Sequence, residues 1–227
     1  MNIRSIRSKL NLLTELIHSI DKKIEIIIIT ETWLSPQEEE FFNIDDFNLV
    51  HVSKDRQGTY RGGGVCIYVR KKFRVINVDN FPLVNCDVIH LFLPCNNLNI
   101  VAIYRSHQSD EAIFFDQFDR MLHQLNKDSK TLIVGDFNLD VLQQSNNSDL
   151  YIEIIKQNLF CSQVRQITRF YSKDSIEGTC IDHVFTQGLN VKTEICNCDF
   201  SDHCYILIEI SKVHTEGRKI NILKPIM

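Results

Sequence analysis

Apolar residues follow two periods along this chain, and each change of period marks an element. Leu10, Leu13, Leu16, Ile17 and Ile20 recur at helical spacing behind Ser8, a residue type that caps helices, and predict an amphipathic helix over 8–20. From Ile24 to Ile29 the sequence is nearly continuous β-branched residues, the pattern of a buried strand, and it ends in Thr30-Glu31-Thr32-Trp33. Trp33 reads as a packing residue. The acidic stretch from Glu38 to Asp46 reads as a solvated connection with a helical turn. Short strands follow over 63–70, 73–79, 87–93 and 98–104, with Asn96-Asn97 suited to the tight turn between the last two. Gly62-Gly63-Gly64 reads as a glycine-marked strand entry, because no Gly-Lys-Ser/Thr follows to make a nucleotide loop.

Helical spacing returns after Ser109, which with Asp110 and Glu111 forms a helix start. Phe114, Phe115, Phe118, Met121, Leu122 and Leu125 make its apolar face, a core stripe. A shorter helix is predicted from Ser148, burying Tyr151, Ile154, Ile155 and Leu159. Between these helices lies the stretch that organises the chain, Thr131-Leu132-Ile133-Val134-Gly135-Asp136-Phe137-Asn138-Leu139-Asp140. It reads as a buried strand delivering polar groups at its C-terminal end. Strand alternation would put Asp136 and Asn138 on one side with Phe137 turned to a core, and Gly135 would allow close backbone approach. A strand closed by an Asx turn explains the same residues more plainly.

Other strand ends carry polar groups too: Glu31, Tyr104-Arg105, Asp182 inside the apolar run Thr179–Phe185, and Asp202-His203 before the final strand Tyr205–Ile210. Arg105 is placed to meet an anion. Asp182 needs a partner, since an unpaired carboxylate in an apolar strand is costly, and His203 is a candidate. Oxygen donors gathered at one sheet edge are what a hard cation such as Mg²⁺ selects.

Composition narrows the setting. The chain has 227 residues, 44% hydrophobic and 24% charged, the balance of a globular protein, and no linker divides it. No apolar run is long enough to span a membrane and no signal peptide is evident, so an intracellular protein is expected, in nucleus or cytoplasm. The eight cysteines then read as reduced thiols. Cys196-Asn197-Cys198 lacks the second pair that a zinc site requires. The net charge is −4, yet seven basic residues fall between Lys54 and Arg74 against the single acid Asp55, a local face able to meet phosphate. The final residues, 212–227, read as a tail or linker after a domain of residues 1–211.

Taken in order, Asn2-Ile3-Arg4-Ser5, Glu31-Thr32-Trp33, Tyr104-Arg105, Gly135-Asp136-Phe137-Asn138, Ile181-Asp182-His183 and Ser201-Asp202-His203 resemble a known set of motifs. They are those of the endonuclease/exonuclease/phosphatase superfamily, and more narrowly of the apurinic-endonuclease-like domain of non-LTR (LINE-type) retrotransposons. The resemblance implies a four-layer α/β sandwich, two mixed sheets face to face with helices outside. It implies a divalent cation, Mg²⁺ with Mn²⁺ as substitute, held by Glu31 with Asn2 and Asp202 near it. Asp136 would orient and deprotonate the attacking water, Asn138 would position water and phosphate, and Tyr104 would contact a phosphate oxygen. Asp182 would orient His203 toward the scissile phosphate, with Arg105 and the hydroxyls of Thr179 and Ser201 supporting the substrate. The implied function is nicking of target DNA to leave a 3′-hydroxyl that primes a reverse transcriptase absent from these residues. The same site could serve RNA, an inositol phosphate or a lipid head group, or could survive only for binding DNA or protein. In such domains a strand leads into the first Asn; here only Met1 precedes Asn2, so an unanchored Asn2 and exposed strand edges are expected.

Overall fold

Four consecutive isoleucines force an extended segment to bury both faces, and strand β1 (Ile26–Thr30) does so. Ile27 and Ile29 join a cluster with Leu13 of helix α1 (Leu10–Ser19), while Ile26 and Ile28 face a core on the other side. The computed structural model of the chain describes residues 1–52, 62–78, 81–125, 127–172 and 174–211. Strand β2 (Phe47–Val52) and strand β3 (Val65–Arg70) complete an antiparallel sheet of order β1–β3–β2. β3 alternates strictly: Val65, Ile67 and Val69 face inward, and Cys66 and Tyr68 face the α1 side.

The second sheet is larger. Strands β4 (Ile76–Val78), β5 (Cys86–Leu93) and β6 (Leu98–Arg105) form antiparallel neighbours. Helix α2 (Glu111–Gln124) carries the chain over to β7 (Lys130–Asp136), which pairs parallel to β6. After helix α3 (Asn146–Gln157) come three two-residue strands, β8 (Cys161–Ser162), β9 (Arg169–Phe170) and β10 (Gly178–Thr179). β11 (Asp182–Gln187) returns antiparallel to β7, giving the order β4–β5–β6–β7–β11–β8. The hairpin of β12 (Val191–Cys196) and β13 (Tyr205–Ile210) packs Ile195, Ile206 and Ile208 against the inner core.

The result is the four-layer sandwich with a mixed sheet. One core lies between the sheets; a second, rich in Phe114, Phe118, Phe137, Tyr151 and Phe185, lies under α2 and α3. A Cβ on Gly135 would run into the backbone carbonyl of Ile103 on the neighbouring strand, which explains glycine there.

Several expectations need correction. α1 begins at Leu10 behind Lys9, not behind a Ser8 cap; Lys9 instead donates through Nζ to the carbonyl of Ile3 at 2.7 Å. Asp110, not Ser109, caps α2 by accepting from Ile113 N. α3 starts two residues before Ser148, capped by Ser145, and Leu159 lies past its end, 71% exposed with φ of 63°. β2 and β12 were not foreseen as separate strands. Met1–Ile3 does not dangle: Asn2 bridges Thr30 in parallel, Ile3 N donates to Thr30 O, and Thr30 N donates to Met1 O. Asn2 is fully buried.

Within the basic stretch, Lys54, Arg56 and Arg61 lie outside the described residues, as does the tail 212–227. Arg70 stacks over Phe47 and Lys72 pairs with Glu25, so these two serve the first sheet's own surface.

Candidate active site

The inner faces of β5, β6, β7 and β11 are apolar at every second residue, as in Ile89 and Leu91, Ile100 and Ala102, Leu132 and Val134, and Val184. The next residue of the same parity on each strand is polar: Asp87, Tyr104, Asp136 and Asp182. They lie in register, Asp87 opposite Tyr104, Tyr104 opposite Asp136, and Asp136 opposite Asp182. Directly opposed residues share a face, so four strands deliver one polar row at the end of the inner core.

Three buried carboxylates in a row require partners. Asp87 accepts from Gly64 N at 2.7 Å, which ties the row to the entry of β3. Asp136 accepts from Asn2 Nδ2 at 2.8 Å and from Asn138 N at 3.0 Å. Asp182 Oδ2 lies 2.8 Å from His203 Nδ1. Thr168 holds Asp182 in place, its Oγ1 accepting from the backbone N–H of both Ile181 and Asp182.

Burial, reinforced by the charge of Asp182, pushes the Asp136 carboxyl up to about 7 against the pull of His203, Asn2 and the Asn138 amide. Burial alone would lower His203, but Asp182 above all, with Asp136 and Asp202, raises it. Both shifts act at one place, a carboxyl made easier to protonate beside an imidazole made harder to deprotonate. Because Nδ1 faces Asp182, the Nε2 of His203 is the edge available to a ligand.

The smaller sheet supplies the other wall. Glu31 follows β1 in the left-handed region at φ 54°, and Trp33 does the same at 57°; Trp33 Nε1 donates to Glu31 Oε2 at 3.2 Å. Trp33 therefore touches a site carboxylate as well as packing. Asn2 stands between the walls: Nδ2 reaches Asp136 and Oδ1 accepts from Arg4 N at 3.0 Å. Ser201 Oγ donates to Asn2 O at 2.8 Å and accepts from His203 N at 3.1 Å, joining the two ends of the chain.

The sequence matches the endonuclease/exonuclease/phosphatase family over residues 1–203. The chain belongs to that family. No curated protein sequence matches it. Among solved structures, the 3′–5′ exonuclease NExo from Neisseria meningitidis is similar at TM-score 0.71 and 15% identity, over 93% of this chain and 98% of that one. The endonuclease domain of TRAS1, a telomere-specific non-LTR retrotransposon, is similar at TM-score 0.65 and 11% identity, over 94% and 97%. The catalytic domain of Xenopus laevis APE2 is similar at TM-score 0.69 and 14% identity, over 92% and 90%.

An endonuclease/exonuclease/phosphatase site requires donors for a hard cation, and this one offers them. Ligand atoms of Asp136, Asp182 and His203 lie within 4.8 Å of one another, a set of donors that could hold a divalent cation. Among the described residues no cysteine joins such a cluster, and all eight are free thiols.

Some expected members of the family site stand elsewhere. Arg105 does not face the groove: it is 2% exposed, lies over Phe114, and donates to the carbonyls of Ser109, Phe137 and Asn138. It pins the loop after β7. Asn138 is placed by an Asx turn rather than by strand alternation, with φ of 49° and Nδ2 donating to Arg105 O at 2.6 Å. Asp202 meets two arginines, Arg169 and Arg4. Thr179 Oγ1 is buried and makes no hydrogen bond within the protein. Asp87, Thr168 and Arg169 were missed. Asp87 could have been found by its parity within an apolar strand; Thr168 and Arg169 sit in a short, non-periodic stretch that gives no such signal.

Proposed function

We propose that this chain is a Mg²⁺-dependent endonuclease that hydrolyses DNA phosphodiesters, nicking its target to leave a 3′-hydroxyl able to prime reverse transcription. The observation that carries this reading is the placement of a buried carboxyl, Asp136, in register with Asp182, which holds the His203 imidazole, at the end of one inter-sheet core. Metal-dependent phosphodiester hydrolysis needs such a base, a charge-stabilising donor and a hard cation.

A divalent cation bound at Glu31, with the oxygens of Asn2 and Asp136 beside it, would supply Lewis-acid stabilisation of the phosphoryl oxygens. Asp136 orients the attacking water and accepts its proton. His203 donates from Nε2 to a non-bridging phosphate oxygen, and Asp182 keeps the ring in that orientation and charge state. Tyr104 and Thr179 add hydroxyl donors, and Asn138 steadies water and phosphate. The water oxygen bonds to phosphorus as the P–O3′ bond breaks, leaving a 5′-phosphate and a departing 3′-oxygen that takes a proton from solvent to become the 3′-hydroxyl. A binding domain without catalysis gains no support from Asn2, which is buried and bonded to Asp136.

The likeness to an exonuclease keeps an end-directed hydrolase as the second reading. Supercoiled plasmid separates the two because it has no ends. Purified protein is expected to nick it with Mg²⁺, to stop in EDTA, and to lose activity in Asp136→Ala. Turnover confined to DNA termini, or faster on a small phosphodiester, would sink the endonuclease reading.

A further inference from the structure

We propose that Arg4 and Arg169 form a clamp for a substrate phosphate beside the reacting bond, and that Asp202 is the anchor of this clamp and not a ligand of the cation. The proposal rests on the hydrolase reading of the site and adds its substrate contacts. One carboxylate oxygen, Oδ2 of Asp202, accepts from Arg169 Nε at 3.0 Å and lies 3.3 Å from Arg4 Nη1. Two guanidiniums against one carboxylate leave a net positive charge. The charge of Asp202 is already directed to the arginines.

Register aims the clamp. Arg169 lies opposite Thr179 on one side and bridges His203 on the other, so the three residues share a face. That face carries the imidazole held by Asp182 and the orphaned Thr179 hydroxyl. Arg169 uses Nε on Asp202, and its two terminal nitrogens form the edge that fits a phosphate. The side chains of Arg4 and Arg169 are 42% and 30% exposed, enough for solvent-borne substrate to reach them.

Arg4 is held by a strained turn. Arg4 and Ser5 have φ of 46° and 75°, a left-handed conformation that residues with a side chain adopt at a cost and that concentrates at ligand clamps. Four hydrogen bonds enforce it: Arg4 N to Asn2 Oδ1, Ser5 N to Glu31 O at 2.8 Å, and Lys9 Nζ to the Ile3 and Arg4 carbonyls. The turn that presents Asn2 therefore also presents Arg4. In a chain of net charge −4, a polyanion needs such local positive charge.

The test is fluorescence anisotropy of a labelled DNA duplex in EDTA over a salt series, with Mn²⁺ affinity measured separately by calorimetry. Arg4→Gln and Arg169→Gln should each weaken DNA binding by about 10-fold and lower the salt slope by about one, and the double variant by about two. Arg4→Lys and Arg169→Lys should keep the wild-type slope, which separates a charge contact from a folding defect. Asp202→Asn should leave Mn²⁺ affinity unchanged. An unchanged slope in both Gln variants, or a loss of Mn²⁺ affinity of 10-fold or more in Asp202→Asn, overturns the proposal. Wild-type protein that binds DNA with these slopes but never nicks would refute the hydrolase reading and leave the clamp standing.

Discussion

The two sheets of the sandwich do different work. The six-stranded sheet is packed on both faces, and residues along β6 such as Ile100, Val101 and Ile103 are wholly buried. The other side is divided among the described residues into β1–β3–β2 and the hairpin β12–β13, and Ile26, Ile28, Ile206 and Ile208 are only half-buried. Beside β1, at its edge away from β3, runs the short segment Met1–Ile3, whose terminal amine donates to Ile28 O at 3.0 Å. Asp136 and Asp182 stand on the well-packed sheet; Glu31, Asn2 and Arg4 come from the divided side, where the backbone is left-handed at Arg4, Ser5, Glu31 and Trp33. The polar row of the larger sheet is thus set by regular register, whereas the polar residues of the divided side are set by left-handed turns held by a few hydrogen bonds.

The largest expected effect breaks the chemistry of the well-packed side without unfolding it. Asp136→Ala should reduce plasmid nicking by about 10³–10⁴-fold, on the scale of losing a general base, while far-UV circular dichroism stays native. Next, Phe118→Ala should destabilise the protein by about 3–5 kcal/mol in denaturant titration, because this ring is fully buried among Phe114, Phe137 and Tyr151.

A pH titration probes the same core. His183 is buried against Phe137; its Nε2–H donates to Cys180 O and its Nδ1 accepts from Tyr151. Burial pushes it down to about 4 from 6.5. The unfolded chain therefore takes up a proton before the folded one does. This contribution is complete above pH 6.5 and is lost as pH falls toward 4, a loss of about 3 kcal/mol that His183→Gln should remove from the profile.

Matched truncations then sharpen the contrast between the sheets. Ile100→Ala should destabilise by about 1–2 kcal/mol more than Ile28→Ala, since the cost follows the packing lost; equal values would mean that the divided side is as tightly packed as the other. The smallest effect concerns the cation. Mg²⁺ at ten times its Kd should stabilise the fold by about 1.4 kcal/mol, seen as a raised Tm, and Glu31→Gln should abolish that gain.

Much of this was legible beforehand because periodicity reports burial. The runs Ile24–Ile29, Thr131–Val134 and Phe114–Leu125 announced two strands and a helix, and a carboxylate inside the apolar run of Asp182 announced a missing partner. The structure supplied that partner as His203. By itself the sequence determined the family, the alternation of layers, the glycine at 135 and the polar strand ends, since these are local in pattern or fixed in order along the chain. Only the tertiary structure decided which polar ends meet. It set Asp87, Tyr104, Asp136 and Asp182 in one row, turned Arg105 into a loop pin, anchored Asn2 on β1, and gave Asp202 to Arg4 and Arg169. The physical reason is that register across strands, and the direction a side chain takes at a turn, depend on neighbours distant in sequence.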